Sequence, residues 1–258
     1  MIITGDYHTH TKYSHGKGTI LENALKAKEL NLKEIGICDH GFAHPAFGLR
    51  KRKMPSYISD ANFATKETGV KVLVGIESNI VSTDGKCDLT EKLYDKFDLF
   101  LAGIHQFVLY KPKTVFKLFL PNYFTDLSNK KPSENLIKEN TKTFINVIKN
   151  NPVDVITHIN FRCFADAVEV AKVASDYGTF IELNSKKVHL TDEELFAVSN
   201  TGVNFIINSD AHSTSRIGDT ALVLEQIKRV GIPLDKIVNA DGKLPSFRFN
   251  EFKNKAGR

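Results

Sequence analysis

Histidines and acids fall in short groups along this sequence: Asp6-Tyr7-His8-Thr9-His10 with His15 close behind, Asp39-His40, Glu77, His105, His158, Glu182 with Asn184, and Asp210-Ala211-His212. Imidazole nitrogen and carboxylate oxygen together suit zinc, manganese or iron rather than calcium or magnesium alone. His8 and His10 stand two apart, so on a strand they point the same way, and Asp210 and His212 repeat that alternation. A lone histidine is more often packing or surface than a ligand, and an H-x-H pair is a weak signal. Seven histidines spread over strand ends are harder to explain as packing, because burying them with carboxylates is costly unless metal ions or ion pairs compensate. The candidates to hold an ion are His8, His10, His15, His40, His105, His158 and His212 with the strand-end acids Glu77, Glu182 and Asp210, and the candidate catalytic carboxylates are Glu77, Asp39 and Asp210. Asp6 and Asp39 read as partners that orient a ligating imidazole through its second nitrogen, with Asp39 as an alternative proton shuttle. His44 and His189 lie farther from strand ends and read as surface residues. Arg162 and Lys186 could bind phosphate, although single basic loop residues are usually just solvated.

The elements that would carry these groups alternate. Strand-like runs occur at residues 2–8, 34–38, 70–76, 99–104, 153–157, 179–183 and 203–207. Helix-like runs occur at 19–30, 55–67, 133–149, 166–176, 191–199 and 216–230, two of them opened by the capping boxes Thr19/Glu22 and Thr191/Glu194. Such alternation predicts an α/β fold with a parallel sheet. A closed or nearly closed barrel is preferred over an open doubly wound sheet, in one domain over residues 1–258. In a β/α barrel the carboxyl ends of all strands meet on one face, so residues scattered over the chain can converge there. The stretch 106–131, rich in Phe, Tyr, Lys and Pro, breaks the rhythm. It reads either as a lid loop over the barrel mouth or as a surface excursion with its own small core. The basic run 50–53 reads as a solvated turn that could also meet a phosphate, and residues 254–258 as a loose tail.

Bulk properties narrow the class. Hydrophobic residues at 41% and charged residues at 25% fit a globular chain with a sizeable core. No apolar run is long enough to span a membrane, and the N-terminus lacks the pattern of a signal peptide. Cys38, Cys87 and Cys163 are odd in number and far apart, which argues against a disulfide framework or cysteine zinc site and fits a cytoplasmic location. A net charge of +5 is compatible with anionic substrates and only weakly with nucleic acid. No G-x-S-x-G, C-x5-R or Walker loop points to a protein nucleophile.

With these residues in place, the chain resembles the PHP superfamily, named for its polymerase and histidinol phosphatase members. The resemblance rests on Asp6 to His10 with His15; Asp39-His40-Gly41; Gly75-Ile76-Glu77 with His105; and His158 followed by Asn208-Ser209-Asp210-Ala211-His212. Within the superfamily it is similar to the compact stand-alone phosphoesterases with a trinuclear zinc site, through Gly75 to Ile80, Asp84-Gly85, Phe97 to Leu99, Gly103 to His105, and Ile181 to Asn184. The resemblance implies a distorted seven-stranded, TIM-like (β/α)7 barrel and three divalent metals, zinc first and manganese or iron as alternatives. Carried over by position, His8, His10, Glu77 and Asp210 would hold one ion; Glu77, His105 and His158 a second; His15, His40 and His212 a third. It implies hydrolysis of a small phosphate monoester by a hydroxide bridging two metals. Two departures stand out: Ile159 follows His158 where the family usually has proline, and residues 106–131 are longer than in compact members, so substrate preference does not carry over. A metal-dependent exonuclease or phosphodiesterase on nucleic acid is the alternative. An amidohydrolase would lack the His15, His40, His212 set, and a non-enzymatic scaffold would have lost ligands.

Overall fold

In the computed structural model, which describes residues 1–257, seven strands pair in chain order and all in parallel. They are β1 (Gly5–Thr9), β2 (Glu34–Ile37), β3 (Lys71–Asn79), β4 (Leu99–Gly103), β5 (Val155–Ile156), β6 (Phe180–Asn184) and β7 (Phe205–Asn208). Helices α1 (Ile20–Glu29), α2 (Met54–Thr68), α5 (Glu134–Asn150), α6 (Ala167–Tyr177), α7 (Asp192–Ser199) and α8 (Ala221–Val230) interleave with them. The two expected capping boxes form. The helix expected at 216–230 begins only at Ala221, because Gly218 takes a left-handed turn (φ +70°) and donates its N–H to Asp6 Oδ2 at 3.0 Å.

The sheet curls into a nearly closed barrel. Thr9 bridges Ala211 in parallel, and His10 N donates to Ala211 O at 2.8 Å. Lower in the seam, buried Asn239 spans β1 and β7: its Nδ2 donates to Gly5 O (2.9 Å) and Ile207 O (2.7 Å), and its Oδ1 accepts from Ile207 N (3.0 Å). Inside, Tyr7, Cys38, Leu73, Leu99, Leu101, Val155 and Ile206 form a core closed from below by Phe247. The larger cluster lies between sheet and helices. β1 slips by one residue against β2, with Asp6 opposite Ile35 but Thr9 opposite Ile37. Such a bulge re-aims side chains, and here it lets His8 join Tyr7 on the interior side.

Residues 106–131 are largely helical: a turn α3 (Pro112–Thr114), a π turn (Val115–Phe119) and α4 (Leu120–Leu127). The segment carries its own small core. Phe119 packs on Phe107, Tyr110 and Tyr123, and Asn122 exchanges two 2.9 Å hydrogen bonds with Asn140 of α5. The expected loose tail is also partly structured: α9 (Arg248–Lys255) is anchored where Phe249 N donates to Asp154 Oδ1 at 2.8 Å. Arg258 lies outside the described residues. Among the described residues, no helix is long and apolar enough to cross a membrane.

Candidate metal centre

The carboxyl ends of the strands deliver the nine ligands that the resemblance implies to one rim. His15, His40, Glu77, His105, His158, Asp210 and His212 line a cleft of about 240 Å³ at the barrel mouth, and His8 and His10 are fully buried beside them. Glu77, at the end of β3, faces five imidazoles. Its Oε2 is 2.7 Å from His40 Nδ1 and 3.7 Å from His10 Nε2; its Oε1 is 2.8 Å from His158 Nε2, 3.1 Å from His105 Nε2 and 3.4 Å from His8 Nε2. Asp210 Oδ1 is 3.4 Å from His10 Nε2 and 3.3 Å from His212 Nδ1. Gly103 opens the space these groups use: a Cβ there would strike Thr157 Oγ1 and lie 3.0 Å from His158 Cε1. His158 and Asp210 both hold left-handed backbone, at φ +26° and +48°. Such strain, on the order of 1–3 kcal/mol each, persists only where surroundings enforce it and clusters at functional sites.

The donor set fits divalent cations. His8 Nδ1–H donates to Glu182 Oε1 (2.7 Å) and His105 Nδ1–H to Asn79 Oδ1 (2.9 Å). With those protons committed, Nε2 is the atom each ring turns on Glu77, and between that nitrogen and the carboxylate oxygen there must sit a second proton or a metal ion. His8 Nε2 and His10 Nε2 stand only 3.1 Å apart. His40 Nδ1 and Glu77 Oε2, though 2.7 Å apart, are not aligned for a hydrogen bond and have no other hydrogen-bond partner. Three triads have converging ligand atoms: His8, His10 and Asp210; His40, Glu77 and His105; His10, His40 and His212. His15 lies just outside them, its ring stacked on His40 at 4.8 Å. Burial, above all, pushes His40 down to about 3 and His15 to about 4, which keeps their lone pairs free. Burial would raise the Glu77 pKa, but His105, His8 and His40 outweigh it and hold the carboxyl well below its usual range.

Several supporting residues were invisible or misread at the level of sequence. Glu182 uses all its acceptor capacity: besides His8, it takes Asn208 Nδ2 (3.0 Å), His158 N (2.8 Å) and Asn184 Nδ2 (3.0 Å). It therefore aims one imidazole and pins the strained turn that carries another. Asn79 is oriented in turn by Asp88, whose Oδ2 accepts its Nδ2–H at 2.6 Å. His44 and His189 are not surface residues: both line the cleft. Phe47 N donates to His44 Nδ1 at 3.0 Å, curling that loop over the mouth, and His189 sits 6.0 Å from His158, ring to ring. Asp6 and Asp39 bond backbone and hydroxyls rather than imidazoles. Asp6 holds Ser209 (Oγ, 2.5 Å) and Gly218; Asp39 holds Thr11 N (2.8 Å), Thr11 Oγ1 (2.5 Å) and Ser14 Oγ, bracing the turn between His10 and His15. Lys186 reaches the centre, with Nζ 3.4 Å from Asp210 and 3.1 Å from His212 Nδ1. Arg162 does not: it turns to Gln106 Oε1 (2.9 Å) and Asp126 (3.5 Å), tying its turn to α4. Ile159, in place of the usual proline, is buried and leaves His158 at the rim.

Glu182→Gln is expected to lower metal affinity and activity about 10- to 100-fold, because an amide would turn its N–H₂ on two of the donors that the carboxylate accepts. Metal titration of the variant against wild type measures this, and unchanged affinity would remove Glu182 from the supporting shell.

The comparisons with known proteins agree with this architecture. The PHP domain model matches residues 6–209. A protein named probable phosphatase from Thermoanaerobacter sp. is 31% identical, over 98% of this chain and 96% of its own. Another of that name from Clostridium botulinum is 30% identical, over 97% and 96%. The crystal structure of histidinol phosphate phosphatase from Lactococcus lactis, complexed with zinc, L-histidinol and phosphate, shares the fold with a TM-score of 0.60 at 15% identity, covering 90% of this chain and 95% of that one. The chain belongs to the PHP domain family.

Proposed function

We propose that this single-domain protein is a metal-dependent phosphatase that hydrolyses a small phosphate monoester at a trinuclear centre, zinc being the first candidate. The observation that carries the reading is Glu77, one buried carboxylate set among five imidazoles at the barrel mouth. The relatives named as phosphatases, and the zinc and phosphate in the Lactococcus structure, support it. Divalent ions held by the nine ligands would neutralise the ester's dianion and supply a water nucleophile at neutral pH. His8, His10 and Asp210 surround one position, and Glu77 reaches from it toward His105 and His158. His40 and His212, whose ligand atoms converge with that of His10, would hold the third, with His15 stacked on His40. Lys186, half exposed, offers its ammonium to a phosphate oxygen at that end. Asp210, 3.4 Å from the Lys186 ammonium, holds that side chain over the centre. Asp39 acts as a positioning residue through the Thr11–Ser14 turn. The small volume of the cleft, about 240 Å³, favours a small ester over a nucleic acid strand.

Elemental analysis of the purified protein beside a panel of phosphomonoesters tests this. Two to three ions per chain and turnover that depends on them are expected. Hydrolysis confined to single-stranded DNA would replace the reading with the nuclease one.

A further inference from the structure

We propose that the leaving group this cleft accepts is planar and aromatic and carries no positive charge, as in a nucleoside or aryl-alcohol monoester; this rests on the phosphatase reading and names its substrate class. Beyond the candidate ligands, the cleft wall is Phe47, His44, Gln106, Phe161, His189 and Lys186. Phe47 lies 4.7 Å from His15 and 4.9 Å from His44, ring centre to ring centre, and Phe161 lies 5.3 Å from both His158 and His189. These two aromatic pairs flank opposite ends of one imidazole row, in which His15 packs on His40, His40 on His105, and His105 on His158 at 4.8–5.2 Å. A phosphate seated over the row therefore has a π face beside it at either end, and Phe47 is 45% exposed, so its face is open.

The polar groups on the same wall are donors. Lys186 presents its ammonium, 3.4 Å from Asp210. His44 Nδ1 accepts Phe47 N–H, which places the proton of the neutral ring on Nε2. The Gln106 amide is occupied by Arg162 and Asp126. Among the described residues, the only carboxylates lining the cleft are Glu77, turned to imidazoles, and Asp210, turned to imidazoles and Lys186. An ammonium on the leaving group would thus meet Lys186 and find no free acid to pair with, and like-charge contact is a means of rejection. A flat ring with acceptor atoms meets stacking faces and donors.

Benzylphosphonate and cyclohexylmethylphosphonate are not hydrolysed and differ in ring saturation, so calorimetry on the metal-loaded protein isolates the stacking. The benzyl compound is expected to bind about tenfold tighter, and Phe47→Ala with Phe161→Ala to bring the two to parity. Equal affinity in wild type overturns the aromatic part. In turnover, benzyl phosphate and adenosine monophosphate are expected to exceed ethanolamine phosphate and histidinol phosphate in kcat/KM; a preference for either amine overturns the charge part, and the ratio of the first two separates aryl from nucleoside. Discrimination between the phosphonates with no ester hydrolysed would sink the phosphatase reading and leave only the aromatic-binding part of this one standing. Hydrolysis across the panel without an aromatic preference would do the reverse.

Discussion

Glu77→Ala is expected to abolish turnover and to leave the protein with at most one tightly held ion, while the barrel stays folded. Among the described residues, this side chain is the one acid within 4 Å of His8, His10, His40, His105 and His158 together. Removing it takes the shared negative charge from two metal positions at once. The loss in kcat/KM should reach at least about a thousandfold, which corresponds to about 4 kcal/mol of transition-state stabilisation. The backbone has reason to hold: Glu77 N bonds Asp39 O at 3.1 Å and Glu77 O accepts Gly41 N at 2.8 Å, both independent of the side chain. Truncation also relieves the fold of a buried acid. Metal content, kcat/KM and circular dichroism on the same preparation decide the matter. Full metal content with turnover within tenfold of wild type would show that Glu77 does not bridge.

That site could be read from the sequence in its ligands and far less in its supports. Ligands declare themselves through residue type and position: an H-x-H pair at the end of β1 or a D-x-H after β7 puts metal-binding atoms where parallel strands must converge. Supports do not, because their meaning is a pairing across the barrel. Glu182 sits at a strand end like Glu77, and only the 2.7 Å contact with His8 Nδ1 separates an orienting acid from a ligand. Asn79 falls in a stretch that carries the family resemblance but nothing there marks it as a support, and Asp88 carries no local signal; their chain to His105 exists only after β3 and the loop behind it have folded. His44 and His189 were misjudged by distance along the chain, since loop curvature, fixed here by the Phe47–His44 hydrogen bond, is a tertiary property. Alternation predicted the parallel sheet, but a barrel and an open sheet share that pattern, so closure shows only in the fold, and with it the Asn239 staple: an asparagine after a short turn looks like any loop polar residue until its three partners are seen. The helical character of 112–127 was masked by Pro112 and Pro121, which break helices in the interior but are tolerated in a first turn, where both fall.

Stripping the metals with a chelator should lower the melting temperature substantially, and by an amount that depends on pH in a definite direction. An ion present at a thousandfold its dissociation constant stabilises the folded state by about 4 kcal/mol. In a chain of this size each kcal/mol moves the midpoint by about 2–4 °C, so the first ion lost should lower it by roughly 8–16 °C. The sign of the pH effect follows from proton counting. For His8, burial opposes the charged ring but the carboxylates of Glu182, Glu77 and Asp210 outweigh it and lift the pKa well above the ordinary value. For His158, burial is likewise outweighed, by Glu77 and Glu182. The metal-free folded protein therefore carries protons on these rings that ligation must expel, and a site that releases protons on loading binds more weakly as pH falls. His15 and His40, already pushed down to about 4 and about 3 chiefly by burial, add no competition until much lower pH. The gap between loaded and chelated melting temperatures should accordingly be widest above neutrality and narrow as pH drops through the range where His8 and His158 take up protons. Scanning calorimetry of both forms from pH 8 to pH 5.5 reads it directly. A gap that stays constant, or widens in acid, would mean that these two imidazoles are not displaced by an ion and that the centre is held by other groups.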